Sequence, residues 1–162
     1  MEVVKAQRLF IGIFGNTNSG KSSLMNMLTG QSVSIVSEVV GTTTDSVQKS
    51  MELSGIGPAV FVDTAGFDDE SELGKKRIAK TWDALAKCDI VLAVISTEEL
   101  AKTDSVAKLI NAQGFAKLQQ SKKPLIWVIT KSDNETKAVQ AAKAVLAETE
   151  PFKSNPPVFV DS

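Results

Sequence analysis

The stretch that decides the fold lies near the N-terminus and reads Gly15-Asn16-Thr17-Asn18-Ser19-Gly20-Lys21-Ser22. It has the spacing G-x-x-x-x-G-K-S, follows the apolar run 9–14 and precedes apolar residues at helical spacing in 23–28. This context predicts a strand, a tight turn and a helix. Backbone N–H groups of the turn and of the helix N-terminus then converge on one point, where they can bind a polyphosphate.

The residue types within this loop suit the same ligand. Lys21 is predicted to reach the β- and γ-phosphates, and the Ser22 hydroxyl is predicted to bind Mg²⁺. The predicted nucleotide contacts of the loop are Asn16, Asn18, Ser19, Gly20, Lys21, Ser22 and Ser23. The alternative is a glycine-rich turn that only starts a helix. The strand and helix patterns on either side favour the phosphate loop.

Composition bounds the class of protein. A chain of 162 residues with 43% hydrophobic and 23% charged residues is typical of one globular domain. The net charge of −1 gives no basic excess, so we expect no nucleic-acid partner. With no histidine and the single cysteine Cys88, a disulfide framework and a zinc or Fe–S cluster are both disfavoured. We expect a cytoplasmic protein without a membrane partner, since no signal peptide or membrane-spanning stretch is evident.

Strand and helix patterns alternate along the chain. The predicted strands are 8–14, 46–53, 58–63, 89–95, 124–129 and 156–160. The predicted helices are 21–30, 74–86, 103–120 and 135–148, and the third of these is interrupted near Gly114. The second and third strands are joined by a short turn and form an antiparallel hairpin. This order predicts a three-layer α/β sandwich of the P-loop NTPase, Ras-like type, with a mixed sheet of six strands and one antiparallel edge strand. Residues 31–45 are predicted to form a long functional loop.

Polar motifs follow several of these strands, where ligands of such sheets bind. Asp63 ends an apolar strand and is followed by Thr64-Ala65-Gly66. A carboxylate at this place can hold Mg²⁺ through water, and Gly66 allows a backbone N–H to approach a γ-phosphate closely. Taken alone, the four residues could be only a turn. Their position after a strand, in a chain with a phosphate loop, favours the functional interpretation.

A second motif, Thr130-Lys131-Ser132-Asp133, follows the strand 124–129 and selects the base. The Asp133 carboxylate can accept two hydrogen bonds from guanine, whereas adenine leaves that charge unpaired at a cost of about 1–3 kcal/mol. The Lys131 stem is predicted to lie over the base, and Thr130 takes the place usually held by Asn. Ser162 is the candidate for a further contact with the base edge. The predicted ligand is therefore GTP or GDP.

Together these motifs predict one GTP-binding switch domain over residues 1–162. Mg²⁺ would be held by Ser22, Asp63 and a switch threonine, for which we favour Thr43 over Thr42. The predicted catalytic residues are Lys21, Thr43 and Gly66. Since Thr43 and Gly66 would both contact the γ-phosphate, hydrolysis is expected to release two loops, residues 31–45 and 64–77.

Three segments carry a closer resemblance to a known family. They are Gly41-Thr42-Thr43-Thr44-Asp45, Asp63-Thr64-Ala65-Gly66-Phe67-Asp68-Asp69-Glu70, and Glu72-Leu73-Gly74 with Lys80-Thr81 downstream. They resemble the GTPase domain of the FeFe-hydrogenase maturation family HydF, which stands beside the MnmE and Era-like GTPases. The resemblance covers about residues 8–133. It implies slow GTP hydrolysis in hydrogenase cofactor maturation, other maturation proteins as partners, and a homodimer through the switch loops.

The resemblance also implies a potassium ion. In MnmE-like enzymes an Asn of the phosphate loop binds K⁺, and Asn18 stands at that place, with backbone carbonyls of 37–39 completing the coordination. Phe67 replaces the Gln that orients water in Ras-type proteins and cannot polarise water. The alternative for Asn18 is a residue chosen for turn geometry. Glu70 or Glu72 could position water, although a solvated acidic loop is the alternative for both.

Two other functions remain open. An Era/MnmE-type GTPase in tRNA modification or ribosome assembly is disfavoured by Thr44, by the run Asp68-Asp69-Glu70 and by the lack of a basic face. A nucleotide-responsive binding module with negligible hydrolysis is compatible with Phe67. HydF proteins also carry dimerisation and cluster-binding domains that are missing here, together with the helix expected after the sixth strand. We therefore expect the chain to be a truncated GTPase domain.

Overall fold

The computed structural model describes residues 8–30, 37–39, 47–68, 72–131 and 137–161. Several predictions concern residues outside these ranges. They are those for Thr42, Thr43, Thr44, Glu70, Asp133 and Ser162, together with most of the predicted loop 31–45.

Within these ranges the chain forms seven strands and six helices. The strands are β1 (Leu9–Gly15), β2 (Ser37–Val39), β3 (Val47–Leu53), β4 (Gly57–Asp63), β5 (Ile90–Ser96), β6 (Leu125–Thr130) and β7 (Val158–Phe159). The helices are α1 (Lys21–Gly30), α2 (Glu72–Lys87), α3 (Thr97–Lys102), α4 (Val106–Ile110), α5 (Gln113–Gln120) and α6 (Lys137–Glu148). None of these helices has both the length and the apolar character needed to cross a membrane.

The strands make one mixed sheet in the order β2-β3-β4-β1-β5-β6-β7. β1 lies parallel to β4 and β5, and the parallel arrangement continues through β6 to β7. β3 runs antiparallel to β4, as predicted, so the α/β sandwich with its antiparallel hairpin is confirmed. The six predicted strands are joined by a seventh, because β2 pairs with β3 and takes the edge position. Three residues are too few to show a strand periodicity in the sequence.

Two hydrophobic clusters explain the three layers. One side of the sheet carries Phe14, Ile95 and Trp127, which pack with apolar side chains from α2 to α6. The other side carries Ile13 and Val94, which pack with Leu24 and Met25 of α1 and with Val128. The central strands are therefore buried on both faces, and this burial explains why their sequences are nearly continuous apolar runs.

The region after β5 was predicted to be helical over 103–120 with an interruption near Gly114, and the structure places that interruption slightly earlier. This region contains α4 and α5, which are separated at Asn111 and Ala112, and it is preceded by the unpredicted α3. The start of α3 is set by a capping box, in which Ser96 Oγ accepts from Glu99 N and Glu99 Oε2 accepts from Ser96 N. A helix of six residues is too short for a clear hydrophobic period, although its Ser-x-x-Glu start is visible in the sequence.

Candidate nucleotide site

The phosphate loop lies between the end of β1 and the start of α1. Its backbone is left-handed at Asn18, with φ of 62°, and at Gly20, with φ of 93°. A Cβ on Gly20 would also lie 3.1 Å from the Thr130 hydroxyl oxygen, so glycine suits both the conformation and the space. The first N–H groups of a helix have no acceptor within the helix. Those at the start of α1 therefore face the loop as donors for an anion.

A cavity of about 330 Å³ opens beside this loop. Its lining residues are Asn18, Gly20, Lys21, Ser22, Ser23 and Lys131. All six were predicted to contact the nucleotide. The structure thus brings the phosphate loop together with the residue that follows β6, although they are more than a hundred positions apart in sequence.

Lys21 is the buried cation of the site. Its side chain is almost enclosed, with 7% exposure for the residue, and Nζ donates a hydrogen bond of 2.7 Å to the Asn16 carbonyl oxygen. Burial lowers the pKa of Lys21, and the nearby carboxylates of Asp63, Asp68 and Glu99 act in the opposite direction. A buried ammonium of this kind is well placed to pair with a phosphate.

Ser22 lies in the first turn of α1 and Asp63 at the end of β4, and their side chains are in contact, as expected if both residues hold Mg²⁺. Ser22 Oγ donates to Asp63 Oδ2 at 2.8 Å. Burial raises the pKa of Asp63, while the Ser22 hydrogen bond and the charge of Lys21 oppose that rise. Asp63 Oδ1 is buried and has no hydrogen-bond partner among the described residues. An unpartnered carboxylate oxygen beside a serine hydroxyl fits a hydrated Mg²⁺.

The segment that follows β4 lies directly against the phosphate loop. Phe67 N donates to the Gly15 carbonyl oxygen at 3.2 Å, and Thr17 N donates to Asp68 Oδ1 at 2.7 Å. A Cβ on Gly66 would collide with the backbone and side chain of Thr17. Glycine is therefore needed for this close approach of the segment to the phosphate loop, while the contact of Gly66 with a γ-phosphate stays a prediction.

The Phe67 side chain points into the protein core. Its ring stacks on Trp82 with centroids 5.4 Å apart and meets the edge of Phe115 at 5.3 Å. Gly114 leaves room for the ring, since a Cβ there would collide with it. Phe67 therefore anchors this segment to α2 and α5, a role that the resemblance to known GTPases did not suggest.

At the end of β6, two predicted contact residues have different surroundings. Thr130 is fully buried and its hydroxyl donates to the Ser19 carbonyl oxygen, so it supports the loop from behind. Ser19 is also fully buried. Lys131 has a left-handed φ of 60° and lines the cavity, where its Nζ donates to the Asn18 carbonyl oxygen at 3.1 Å.

Two contacts from the start of α3 carry no signal in the sequence. Glu99 Oε1 accepts a hydrogen bond of 2.9 Å from Asn16 Nδ2, and Glu98 Oε2 lies 3.4 Å from Lys131 Nζ. The Ser-x-x-Glu pattern after β5 marks the helix start. It does not indicate that Glu99 also reaches the phosphate loop.

Comparisons with known proteins agree with this geometry. A family model described as "50S ribosome-binding GTPase" matches residues 10–131. The tRNA modification GTPase MnmE of Ralstonia nicotianae is 41% identical over 92 residues, which cover 56% of this chain and 19% of the relative. GTPase Der of Kosmotoga olearia is 36% identical over 132 residues, covering 77% of this chain and 28% of the relative. The chain spans less than a third of the length of either relative.

A solved structure of Era in complex with MgGDPNP and nucleotides 1506–1542 of 16S ribosomal RNA has the same fold. The TM-score is 0.70 at 26% identity, and the match covers 97% of this chain and 52% of that chain. The chain thus corresponds to about half of the Era structure.

Proposed function

The chain belongs to the 50S ribosome-binding GTPase family, and we propose that it binds guanine nucleotides and hydrolyses GTP as the switch domain of an RNA-directed GTPase. The process proposed is tRNA modification or ribosome assembly. The observation that carries this proposal is the family match over residues 10–131, which includes every described site residue. The relatives lend no support to a role in FeFe-hydrogenase maturation, or to hydrogenase-maturation proteins as partners.

The charge distribution on α2 supports an RNA partner. This helix carries five basic side chains, Lys75, Lys76, Arg77, Lys80 and Lys87, against the acidic side chains of Glu72 and Asp83. The net charge of −1 therefore conceals a local excess of basic side chains on α2, and we replace the expectation that no nucleic acid is bound by the proposal of an RNA partner. Lysines on one helix can contact RNA phosphates. Because α2 begins four residues after Asp68, a change at the phosphate loop can be passed on to this helix.

The predicted site residues give the proposal its mechanism. Lys21 pairs with the phosphate oxygens, and the Gly66 N–H donates to the γ-phosphate as negative charge develops. Bound Mg²⁺ would neutralise charge on the β- and γ-phosphate oxygens, with Ser22, Asp63 and Thr43 holding it. Asp133 and Ser162 are proposed to select guanine.

The cellular role can be tested by depleting the protein from its host. The proposal predicts either an altered ratio of ribosomal subunits on a sucrose gradient or the loss of a modified nucleoside from bulk tRNA. Wild-type protein should restore the defect and the Lys21→Ala variant should not, because that variant lacks the phosphate-pairing ammonium. Normal subunits and normal tRNA together with lost hydrogenase activity would instead favour hydrogenase maturation.

We also propose that hydrolysis is slow and stimulated by K⁺ at Asn18. This residue lines the cavity with a left-handed backbone, and the Phe67 ring is packed in the core, where it cannot orient water. The carbonyls of Ser37–Val39 were expected to complete the ion site. These residues form β2, which lies three strand positions away from β1 in the sheet. Because neighbouring strands are about 4.8 Å apart, β2 lies about 14 Å from β1. Participation of these carbonyls requires β2 to leave its place in the sheet.

The potassium proposal is tested by measuring GTP turnover in KCl and in NaCl at equal ionic strength. We expect a rate at least tenfold higher in KCl, on the scale of one removed electrostatic stabiliser. The Asn18→Ala variant should lose the difference while retaining its rate in NaCl. Equal rates for the wild-type chain in the two salts would contradict the proposal.

A further inference from the structure

We propose that Glu99 is a positioning residue of the phosphate loop: from α3, its carboxylate holds Asn16 and thereby fixes the loop that receives the nucleotide phosphates. This inference rests on the proposed nucleotide contacts of that loop. It assigns a role in binding to a residue that lies outside the phosphate loop and outside the motifs that follow β4 and β6.

Both oxygens of the Glu99 carboxylate are engaged, each with a different element. Oε2 accepts a hydrogen bond of 2.7 Å from Ser96 N, which completes the capping box of α3. Oε1 accepts a hydrogen bond of 2.9 Å from Asn16 Nδ2, across 83 positions of sequence. A capping box needs only one of these oxygens. The second oxygen joins a fixed helix end to the phosphate loop.

Asn16 is the residue through which such a contact controls the loop. Its carbonyl oxygen accepts from Ser19 N at 3.2 Å, which closes the turn, and from Lys21 Nζ at 2.7 Å. The hydrogen bond from the Asn16 side chain to Glu99 therefore fixes the turn, and with it the position of Lys21 Nζ before a nucleotide binds. A hydrogen bond to a carboxylate is roughly twice as strong as one between neutral groups, so this contact can hold the peptide firmly.

Glu99 also differs from the other carboxylates near Lys21. Asp63 is the proposed magnesium residue, and Asp68 belongs to the segment that is expected to move. Glu99 stands on α3, at the end of the central strand β5, and has no part in either process. Its neighbour Glu98 approaches Lys131 Nζ, which donates to the Asn18 carbonyl oxygen. The start of α3 therefore contacts the loop directly through Glu99 and indirectly through Glu98 and Lys131.

A double-mutant cycle tests this role against that of a simple helix cap. The affinity for GDP is measured by titration calorimetry for the wild-type chain, Asn16→Ala, Glu99→Ala and the double variant. Each single variant is expected to bind GDP about tenfold more weakly, as for one lost hydrogen bond to a charged group. The double variant should bind GDP no more weakly than Asn16→Ala alone, because Glu99 acts through Asn16. Additive losses, or no loss in Glu99→Ala, would overturn the inference.

The matched control is Ser96→Ala, which removes the capping hydroxyl and keeps the contact between Glu99 and Asn16. It should lower the melting temperature while GDP affinity stays within about twofold of wild type. If Glu99→Ala does not fold, Glu99→Gln keeps the size of the side chain and should weaken GDP binding about threefold through loss of charge. A melting-temperature change without an affinity change in Glu99→Gln would also overturn the inference. Failure of the wild-type chain to bind GDP would refute the proposed nucleotide site itself.

Discussion

Asp63 carries a negative charge in surroundings that disfavour it. Burial raises the pKa of its carboxyl, and the Ser22 hydroxyl, Lys21 of α1 and Lys49 of β3 only partly oppose this effect. The folded chain therefore binds this proton more tightly than the unfolded chain. It follows that the contribution of Asp63 to stability is greatest at low pH and falls as pH rises through the raised pKa.

Replacing Asp63 by Asn should consequently stabilise the protein free of metal and nucleotide. At pH 7 we expect the free energy of unfolding to rise by about 1 kcal/mol, because a poorly compensated buried charge is removed. The difference should disappear below about pH 4, where the wild-type carboxyl is protonated. Urea unfolding in EDTA from pH 4 to pH 8 measures it. A wild-type chain that is more stable than Asp63→Asn at pH 7 would contradict this account.

The same substitution should remove magnesium-dependent GTP binding, so stability and function oppose each other at this position. Asp83→Asn, at an exposed acid of α2, is the control. It is expected to change stability by less than about 0.5 kcal/mol at any pH in this range.

At the scale of the elements, the segment that follows β4 is held by two sets of contacts, one to the phosphate loop and one to the hydrophobic core. Its backbone is bound to the phosphate loop through Phe67 N and the Asp68 carboxylate. Its one large apolar side chain, Phe67, is packed between Trp82 and Phe115. A nucleotide that displaces the backbone contacts would therefore also disturb the packing of α2 against α5.

Truncation of Phe67 should separate these two attachments. Because the ring is partly buried in the core, Phe67→Ala is expected to lower the free energy of unfolding by about 2–3 kcal/mol. Urea unfolding, monitored by tryptophan fluorescence, measures the loss. Ile56→Ala is the control, since Ile56 is 69% exposed in the turn between β3 and β4 and should change stability by less than about 0.5 kcal/mol. Equal losses in the two variants would show that Phe67 is not an anchor.

Elements with long or local signals could be predicted from the sequence. The phosphate loop is specified by neighbouring residues, and β1, β5 and β6 are apolar runs of six or seven residues. β2 was missed because its three residues depend on pairing with β3, which is a tertiary contact. The link between Asn16 and Glu99 was missed for the same reason. Neither residue carries a local pattern that indicates its partner.

At the scale of the whole molecule, the parallel strands bring the site together. β1, β4, β5 and β6 run in the same direction, so Gly15, Asp63, Ser96 and Thr130 end at one edge of the sheet. This placement was predictable, because ligands of open α/β sheets bind at the carboxyl ends of the strands. The net charge of the chain did not predict how its charged side chains are distributed. A net charge of −1 is compatible with a basic helix that lies beside the site.

The central claim, that this edge of the sheet is a guanine-nucleotide site, is tested most directly by base selectivity. We predict that the chain with Mg²⁺ binds GDP at least about a hundredfold more tightly than ADP, because the proposed base contact penalises adenine through an unpaired buried carboxylate. The Asp133→Asn variant should shift the preference from GDP towards xanthosine diphosphate, whose ring presents the complementary pattern. Calorimetric titration of both proteins with the three nucleotides decides the matter. Equal affinity of the wild-type chain for GDP and ADP, or an unchanged preference in Asp133→Asn, would contradict the claim.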